Sequence, residues 1–421
     1  MTTTMPELCP IDFSRPLGGL EHLFSLIDRH RTVHFAMTAQ IEGPTSIPAW
    51  RAALDKLQER HPLLSVAIEI NDGSAPHFRA VRNAPIPLRV TVGPTVSSWQ
   101  TEIARELATP FDSQQAPLAR AVLMHGQSES VFILTTHHSI ADGLSSAYAI
   151  RDLIRFLAGE NLESLPPIPA LEPLVYRSQH AANDTDDSEQ PAAPQEGRAA
   201  TFRTVDGSLP RIEALQLSPV TTRTLVERAR KERTTVHGAL CAALVLAGRE
   251  PSTSWNDSPV RVMSPFNLRN ELGIGEDCGL FVWAGSVSMS PRSPADFWEV
   301  ARFAKSSLTE KQSLGRVAVE LEGLEQAMNS GIDVPGAAQV FAQVLPFELL
   351  LTNLGKLSVQ FDTGSLRLKA LWGPALLMGF EKEQTVGVTT TNDALCLLHT
   401  TFTPIPSLLP RAAEILQLAC E

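Results

Sequence analysis

The stretch Thr135–Ser146, TTHHSIADGLSS, puts two imidazoles, a carboxylate and a glycine close together in sequence: His137, His138, Asp142 and Gly143. A neutral imidazole accepts protons well near neutral pH. Backbone N–H groups at the start of a helix are unpaired and sit at the positive end of its dipole, so they stabilise a developing anion. Together these groups suit the deprotonation of an acceptor beside an oxyanion. Asp142 also reads as a simple helix N-cap. Gly143 is either a turn residue or an N–H donor. No third ligand follows at the i+4 spacing of zinc-binding helices, so no metal is expected.

The flanking segments must position these residues. SVFILTT, before the histidines, is apolar and β-branched and reads as a strand, whereas SAYAIRDLIRFLAG, after them, has helical spacing. Successive strand side chains point to opposite faces. One histidine is therefore expected to pack inward and the other to face a cleft. APLARAVLMH pairs with SVFILTTHH as a hairpin. RTVHFAMTAQIEG places Val33, Phe35, Met37, Ala39 and Ile41 on one strand face. The helix SIPAWRAALDKLQERHP follows, with Ser46 as its N-cap and Pro48 in its first turn. The second half alternates in the same way, from the strand RIEALQLS to a closing helix at PSLLPRAAEILQLA. This pattern predicts an α/β protein of two layered domains around mixed sheets.

A chain of 421 residues is too long for one ordinary domain, and 43% hydrophobic with 19% charged residues fits a globular protein. A net charge of −11 argues against nucleic acid and anionic membrane surfaces as partners. The N-terminus shows no secretory pattern, and the apolar stretch GALCAALVLAG is too short to span a bilayer. Five scattered cysteines, Cys9, Cys241, Cys278, Cys396 and Cys420, form no CxxC pair. Their odd number fits reduced thiols, and a cytoplasmic protein is expected. The segment QHAANDTDDSEQPAAPQEGRAA lacks a hydrophobic period and reads as a mobile acidic linker. The expected organisation is 1–178, linker 179–200, and 201–421. No GxSxG elbow is present, which argues against a serine hydrolase.

HHSIADG resembles the HHxxxDG signature of the condensation-domain and chloramphenicol-acetyltransferase-like superfamily. Neighbouring segments match in the family's order: RHPLL, PFDSQQAPLARAVL, MSPFNLRNEL with CGLFVWAG, LLTNLGKL and WGP. The likeness covers nearly the whole chain and is nearest to stand-alone polyketide-associated acyltransferases of the phthiocerol dimycocerosyl transferase type. The DFGWG motif of the plant branch is absent from the second half, and no carrier or adenylation module is expected to follow. The resemblance implies two chloramphenicol-acetyltransferase-like domains in a V-shaped pseudo-dimer with a central tunnel. It implies His138 as general base, with His137 and Asp142 structural and Asp142 paired with Arg269. Gly143, Ser145 and Thr352 are candidate oxyanion groups, and Trp372 and Trp283 either line the tunnel or fill core.

The activity implied is transfer of an acyl group from a thioester to an alcohol, with amide formation on an amine as the alternative and a non-catalytic binding domain as the reading from another class. The donor is acyl-CoA or an acyl-phosphopantetheine carrier, with no permanently bound cofactor, no membrane span and a monomeric protein expected. The basic run RTLVERARKER is a candidate docking surface for an acidic carrier protein, and otherwise a solvated helix face. His34 and His399 are expected to be packed.

Overall fold

The computed structural model describes residues 13–70, 75–92, 99–182, 199–291, 296–357 and 363–421. Cys9 and most of the expected linker, 183–198, lie outside them. The first half runs β1 (Ser14–Pro16), α1 (Gly19–His30), β2 (Phe35–Glu42), α2 (Ile47–Arg60), β3 (Val66–Glu69), β4 (His77–Ala80), β5 (Leu88–Val92), α3 (Trp99–Ala108), β6 (Ala119–His125), β7 (Glu129–Thr136), α4 (Gly143–Leu157) and α5 (Leu171–Ala182). The second runs β8 (Arg211–Gln216), α6 (Pro219–Lys231), α7 (Val236–Arg249), α8 (Thr253–Asp257), β9 (Val260–Asn267), α9 (Arg269–Leu272), β10 (Val282–Met289), α10 (Phe297–Thr309), α11 (Leu314–Asn329), α12 (Val334–Val344), β11 (Leu349–Lys356), β12 (Arg367–Ala375), β13 (Gln384–Thr391), β14 (Ala394–Thr401) and α13 (Leu408–Cys420). Helix α5 runs past residue 179, so the segment expected to be linker begins as helix.

Two large mixed sheets carry the fold. Their orders are β12-β2-β7-β6-β5 and β10-β9-β11-β13-β14-β8, and a small sheet β1-β4-β3 stands beside them. The expected hairpin is present as the antiparallel pair β6–β7. In β2, Phe35, Met37, Ala39 and Ile41 do face one core. The opposite face is also covered: Ala36 of β2 and Val131 and Ile133 of β7 pack with Trp99 and Ile103 of α3 and with Cys396 and Leu398 of β14. Burial on both faces explains why β7 reads as a continuous apolar run rather than an alternating one.

One strand crosses between the halves. β12 comes from the second half yet pairs antiparallel with β2, with Trp372 opposite Thr38. It then carries Pro374, Leu376 and Met378 to the wall of the central cavity. From behind, the RHPLL segment fixes α4. Arg60 Nε donates to Asp152 Oδ2 at 2.6 Å, and His61 Nε2 lies 3.0 Å from the same oxygen. Burial alone raises the Asp152 carboxyl, but His61, Arg151 and Arg60 outweigh it and hold the group at about 2. No helix among the described residues is long and apolar enough to cross a membrane.

The crossing strand is seated by a close backbone approach at Gly387 of β13. A Cβ there would stand 2.2 Å from Pro374 O and 2.6 Å from Gly373 C. Gly387→Ala is therefore expected to destabilise the protein by about 1–3 kcal/mol through forced backbone shifts. Denaturant unfolding checks it: an unchanged midpoint would mean that this contact does not seat β12.

Candidate active site

The two histidines stand just past the end of β7, in the turn leading to α4, and not on the strand itself. The strand-face argument therefore gave the right opposition for a reason that the backbone does not supply. His137 is fully buried, and its Nδ1 accepts from Ser139 N–H at 3.2 Å. A peptide N–H can only donate, so the His137 proton is on Nε2. That Nε2 lies 3.5 Å from Asp28 Oδ2, a long contact.

His138 turns the other way and lines the cavity. Its Nδ1 lies 3.1 Å from Ala141 O, and a carbonyl can only accept, so Nδ1 carries the proton and Nε2 a free lone pair. The ring stacks on Phe24 with centroids 4.1 Å apart and leans on Phe35 at 4.9 Å. Burial pushes the His138 imidazole down to about 4, against smaller opposing pulls from backbone carbonyls and Asp142. The ring is thus neutral at neutral pH, with its basic nitrogen available.

Asp142 both caps α4, as its place in the sequence suggests, and pairs with Arg269, as the resemblance implies. Oδ1 accepts from Ser145 N–H at 2.8 Å and so caps α4. Oδ2 accepts from Arg269 Nη1 at 2.8 Å and from Phe281 N–H at 2.9 Å. Burial by itself raises this carboxyl; the Arg269 guanidinium and these N–H bonds outweigh it and hold it below the usual carboxylate range. Arg269 is 2% exposed and opens the short helix α9. Asp142 N–H also donates to Gly279 O at 3.1 Å, so backbone as well as side chains join the halves.

Two expected site residues are placed elsewhere. Ser145 does not line the cavity. Its Oγ lies 2.6 Å from Gly279 O and accepts from Gly279 N–H at 3.0 Å and Arg269 Nη2 at 2.8 Å. With one donor and two acceptor sites committed, this hydroxyl has nothing left for an oxyanion. Trp372 is core: its ring lies 5.5 Å from Trp99, and its Nε1–H donates to Gln40 Oε1 at 3.1 Å. Gly143, Thr352 and Trp283 do line the cavity. Gly143 is tightly faced, since a Cβ there would meet Leu354 and Pro374 at 2.8 Å. His34 and His399 are packed, each 1% exposed.

The cavity measures about 1090 Å³ and takes its wall from both halves, with Leu20, Leu23 and Phe24 of α1 on one side and His237 and Ser264 among the residues on the other. These α1 residues and His237 were not expected from the sequence. His237 Nε2 lies 2.8 Å from Ser264 Oγ, and burial holds this second imidazole at about 4. In the basic run of α6, Arg228 pairs with Glu232 at 3.2 Å, while Arg223, Arg230 and Lys231 are exposed. Among the described residues, no group of three or more His, Cys, Asp or Glu side chains is placed to hold a metal ion.

The chain's fold and part of its sequence have known counterparts. Residues 206–361 match the family model of the phthiocerol/phthiodiolone dimycocerosyl transferase C-terminus. The structure of polyketide synthase associated protein 5 from Mycobacterium tuberculosis is similar over 97% of this chain and 98% of its own, at a TM-score of 0.63 and 17% identity. The chain shares the fold of condensation and acyltransferase domains. A second structure, the trichothecene 15-O-acetyltransferase from Fusarium sporotrichioides, is similar over 100% of both chains at a TM-score of 0.67 and 13% identity. Tyrocidine synthase 3 of Brevibacillus parabrevis is 31% identical over 126 residues, which are 30% of this chain and 2% of that protein. This chain spans 1–6% of the length of the curated relatives it matches.

The junction between the halves makes a stability prediction. Asp142→Ala and Arg269→Ala each leave a buried charge unpaired, and each is expected to cost about 3–5 kcal/mol. The double substitution should cost clearly less than their sum, as read from a denaturant-unfolding cycle. Additive losses would show that the two side chains contribute independently.

Proposed function

We propose that the chain is an acyltransferase that moves an acyl group from a thioester, on coenzyme A or on a carrier protein's phosphopantetheine arm, to an alcohol, forming an ester. The observation that carries this reading is the His138 Nε2 lone pair, held neutral and facing a cavity shared by the two halves. His138 takes the acceptor's hydroxyl proton as the oxygen attacks the thioester carbonyl. The Gly143 N–H, at the unpaired start of α4, is the candidate donor to the resulting oxyanion. Collapse breaks the carbon–sulfur bond, and the departing thiolate takes the proton from the imidazolium. Holding both reactants in one cavity supplies much of the acceleration without a covalent enzyme intermediate. The match of residues 206–361 to the phthiocerol/phthiodiolone dimycocerosyl transferase C-terminus model and the fold shared with acyltransferase structures support acyl transfer at this general level.

The donor and acceptor are substrates, and the reading includes no resident cofactor. One chain supplies every group invoked, in keeping with a monomer. Among the described residues four cysteines are free, three of them buried, which fits a reducing cytoplasm. Amide formation uses the same proton transfer with an amine acceptor. A binding domain without turnover is the alternative from another class; the free His138 lone pair favours catalysis.

Purified protein incubated with mixed acyl thioesters and candidate alcohols and amines, followed by mass spectrometry, separates the three outcomes as ester, amide or no product. His138→Ala should lower turnover by about a hundredfold or more. The acid limb of the kcat/KM profile should lie near 4, where burial places this imidazole, well below its ordinary 6.5. As pH falls through that value the base becomes protonated and activity is lost. A limb near 6.5 in protein that stays folded, or near-normal turnover by His138→Ala, would remove His138 as the base.

A further inference from the structure

Helix α1 grips the histidine turn along one face. Ser139 Oγ donates to Glu21 O at 2.8 Å, Phe24 stacks on the His138 ring, and Asp28 faces His137. Residues 21, 24 and 28 are spaced by three and four, so they share a helix face. Asp28 is buried and uses both oxygens. Oδ1 accepts from the N–H groups of Val33 and His34 at 2.9 and 3.1 Å, with His34 Nδ1 at 3.3 Å. Oδ2 is left to face His137 Nε2. Burial by itself raises this carboxyl, but its His137 and His34 partners outweigh that and hold it well below the usual carboxylate range, so it is an obligate acceptor.

We propose that Asp28 is a positioning residue: it fixes the tautomer of His137 and, through the turn 137–139, the aim of His138. The chain of contacts allows one proton arrangement. Ser139 N–H needs an unprotonated His137 Nδ1, which puts the proton on Nε2, and the carboxylate opposite, 3.5 Å away and short of a formed hydrogen bond, is the charge that favours it there. Phe111 closes the His137 ring edge-on at 5.9 Å, and Arg120 covers Phe111 at 4.0 Å, so the ring is enclosed. Holding His137 holds residue 139 by its N–H, while Glu21 holds it by its hydroxyl. His138 lies between these two anchors, with its ring against Phe24.

Asp28→Asn is the discriminating substitution, because it keeps the shape and changes one hydrogen-bonding group. The amide oxygen can still accept from Val33 and His34, which puts the amide NH₂ against His137 Nε2–H, donor against donor. Relief requires His137 to move its proton to Nδ1, and that breaks the bond from Ser139 N–H. Long-range proton–nitrogen NMR spectra of histidine-labelled protein read the tautomer directly, with His137→Gln used to assign the resonance. The expected result is an Nε2–H tautomer in the unsubstituted protein and a shift toward Nδ1–H in Asp28→Asn. An Nδ1–H tautomer in the unsubstituted protein overturns the proposal, and this measurement needs no variant to fold. An unchanged tautomer in folded Asp28→Asn overturns it too.

The kinetic arm rests on the acyl-transfer reading. A mis-aimed base should lower kcat by about a hundredfold with KM little changed, a split that general loss of folded protein does not mimic. Unaltered kcat despite a switched tautomer would refute the link to His138. If no thioester and acceptor pair is turned over at all, the acyl-transfer reading falls, and the spectra still decide the role of Asp28.

Discussion

The Asp142 carboxylate is the constraint on which the site depends. A buried charge is tolerated only when its hydrogen-bonding capacity is met. Here three donors from two halves of the chain meet it: Ser145 N–H, Arg269 Nη1 and Phe281 N–H. Capping α4 decides where that helix begins, and therefore where the unpaired Gly143 N–H points. Bonding to Arg269 and Phe281 decides how the second half sits against that helix. Four residues upstream, the turn that closes on Ala141 O sets the His138 tautomer. One carboxylate thus couples the helix start, the junction between the halves and the frame of the proton acceptor.

Much of this was legible in the sequence, and the omissions have physical causes. The histidine turn, its strand and its helix were readable because apolar run, turn and helical period follow one another without interruption. The Asp142–Arg269 pair spans 127 positions and has no local signature, so it came from family resemblance alone. Helix α1 was missed because its N-cap is Gly18, with Glu21 accepting the Gly18 N–H, in place of the usual Ser, Thr, Asp or Asn. Its contribution was missed with it: Phe24 and Asp28 face the two histidines from one helix side. Helices α11 and α12 carried clearer signals, Ser313 and Asp333 as N-caps and a buried Val317, Leu321 and Met328 spacing. Their importance lies in walling the cavity, which only tertiary packing reveals. Ser145 was misplaced, and Trp372 left open between tunnel and core, for the opposite reason. Proximity in sequence to the motif does not say which way a side chain points, and both point away from the cavity.

The chemistry assigned to His138 is consistent with its environment only if geometry does more than basicity. Burial lowers the imidazole to about 4, a weak base for an alcohol. The opposing pulls on the same ring come from Ala141 O, at Nδ1–H, and from the Asp142 charge, and both favour the imidazolium. Those groups act most strongly at the moment when the proton has moved onto Nε2 and the ring is charged. Their stabilisation belongs to the transition state and not to the resting neutral ring, which is the condition for an interaction to raise a rate. In the proposed reaction Asp142 therefore serves twice without touching a substrate: through the helix it caps and through the charge it places near His138. Replacing it by a neutral isostere would keep the cap and remove the charge, so the structural and electrostatic roles are separable in principle. The buried Arg269 makes that separation costly, because a guanidinium that loses its carboxylate is itself left uncompensated. The fold thus ties the stability of the junction between the halves to the electrostatics of proton transfer, and neither can change without the other.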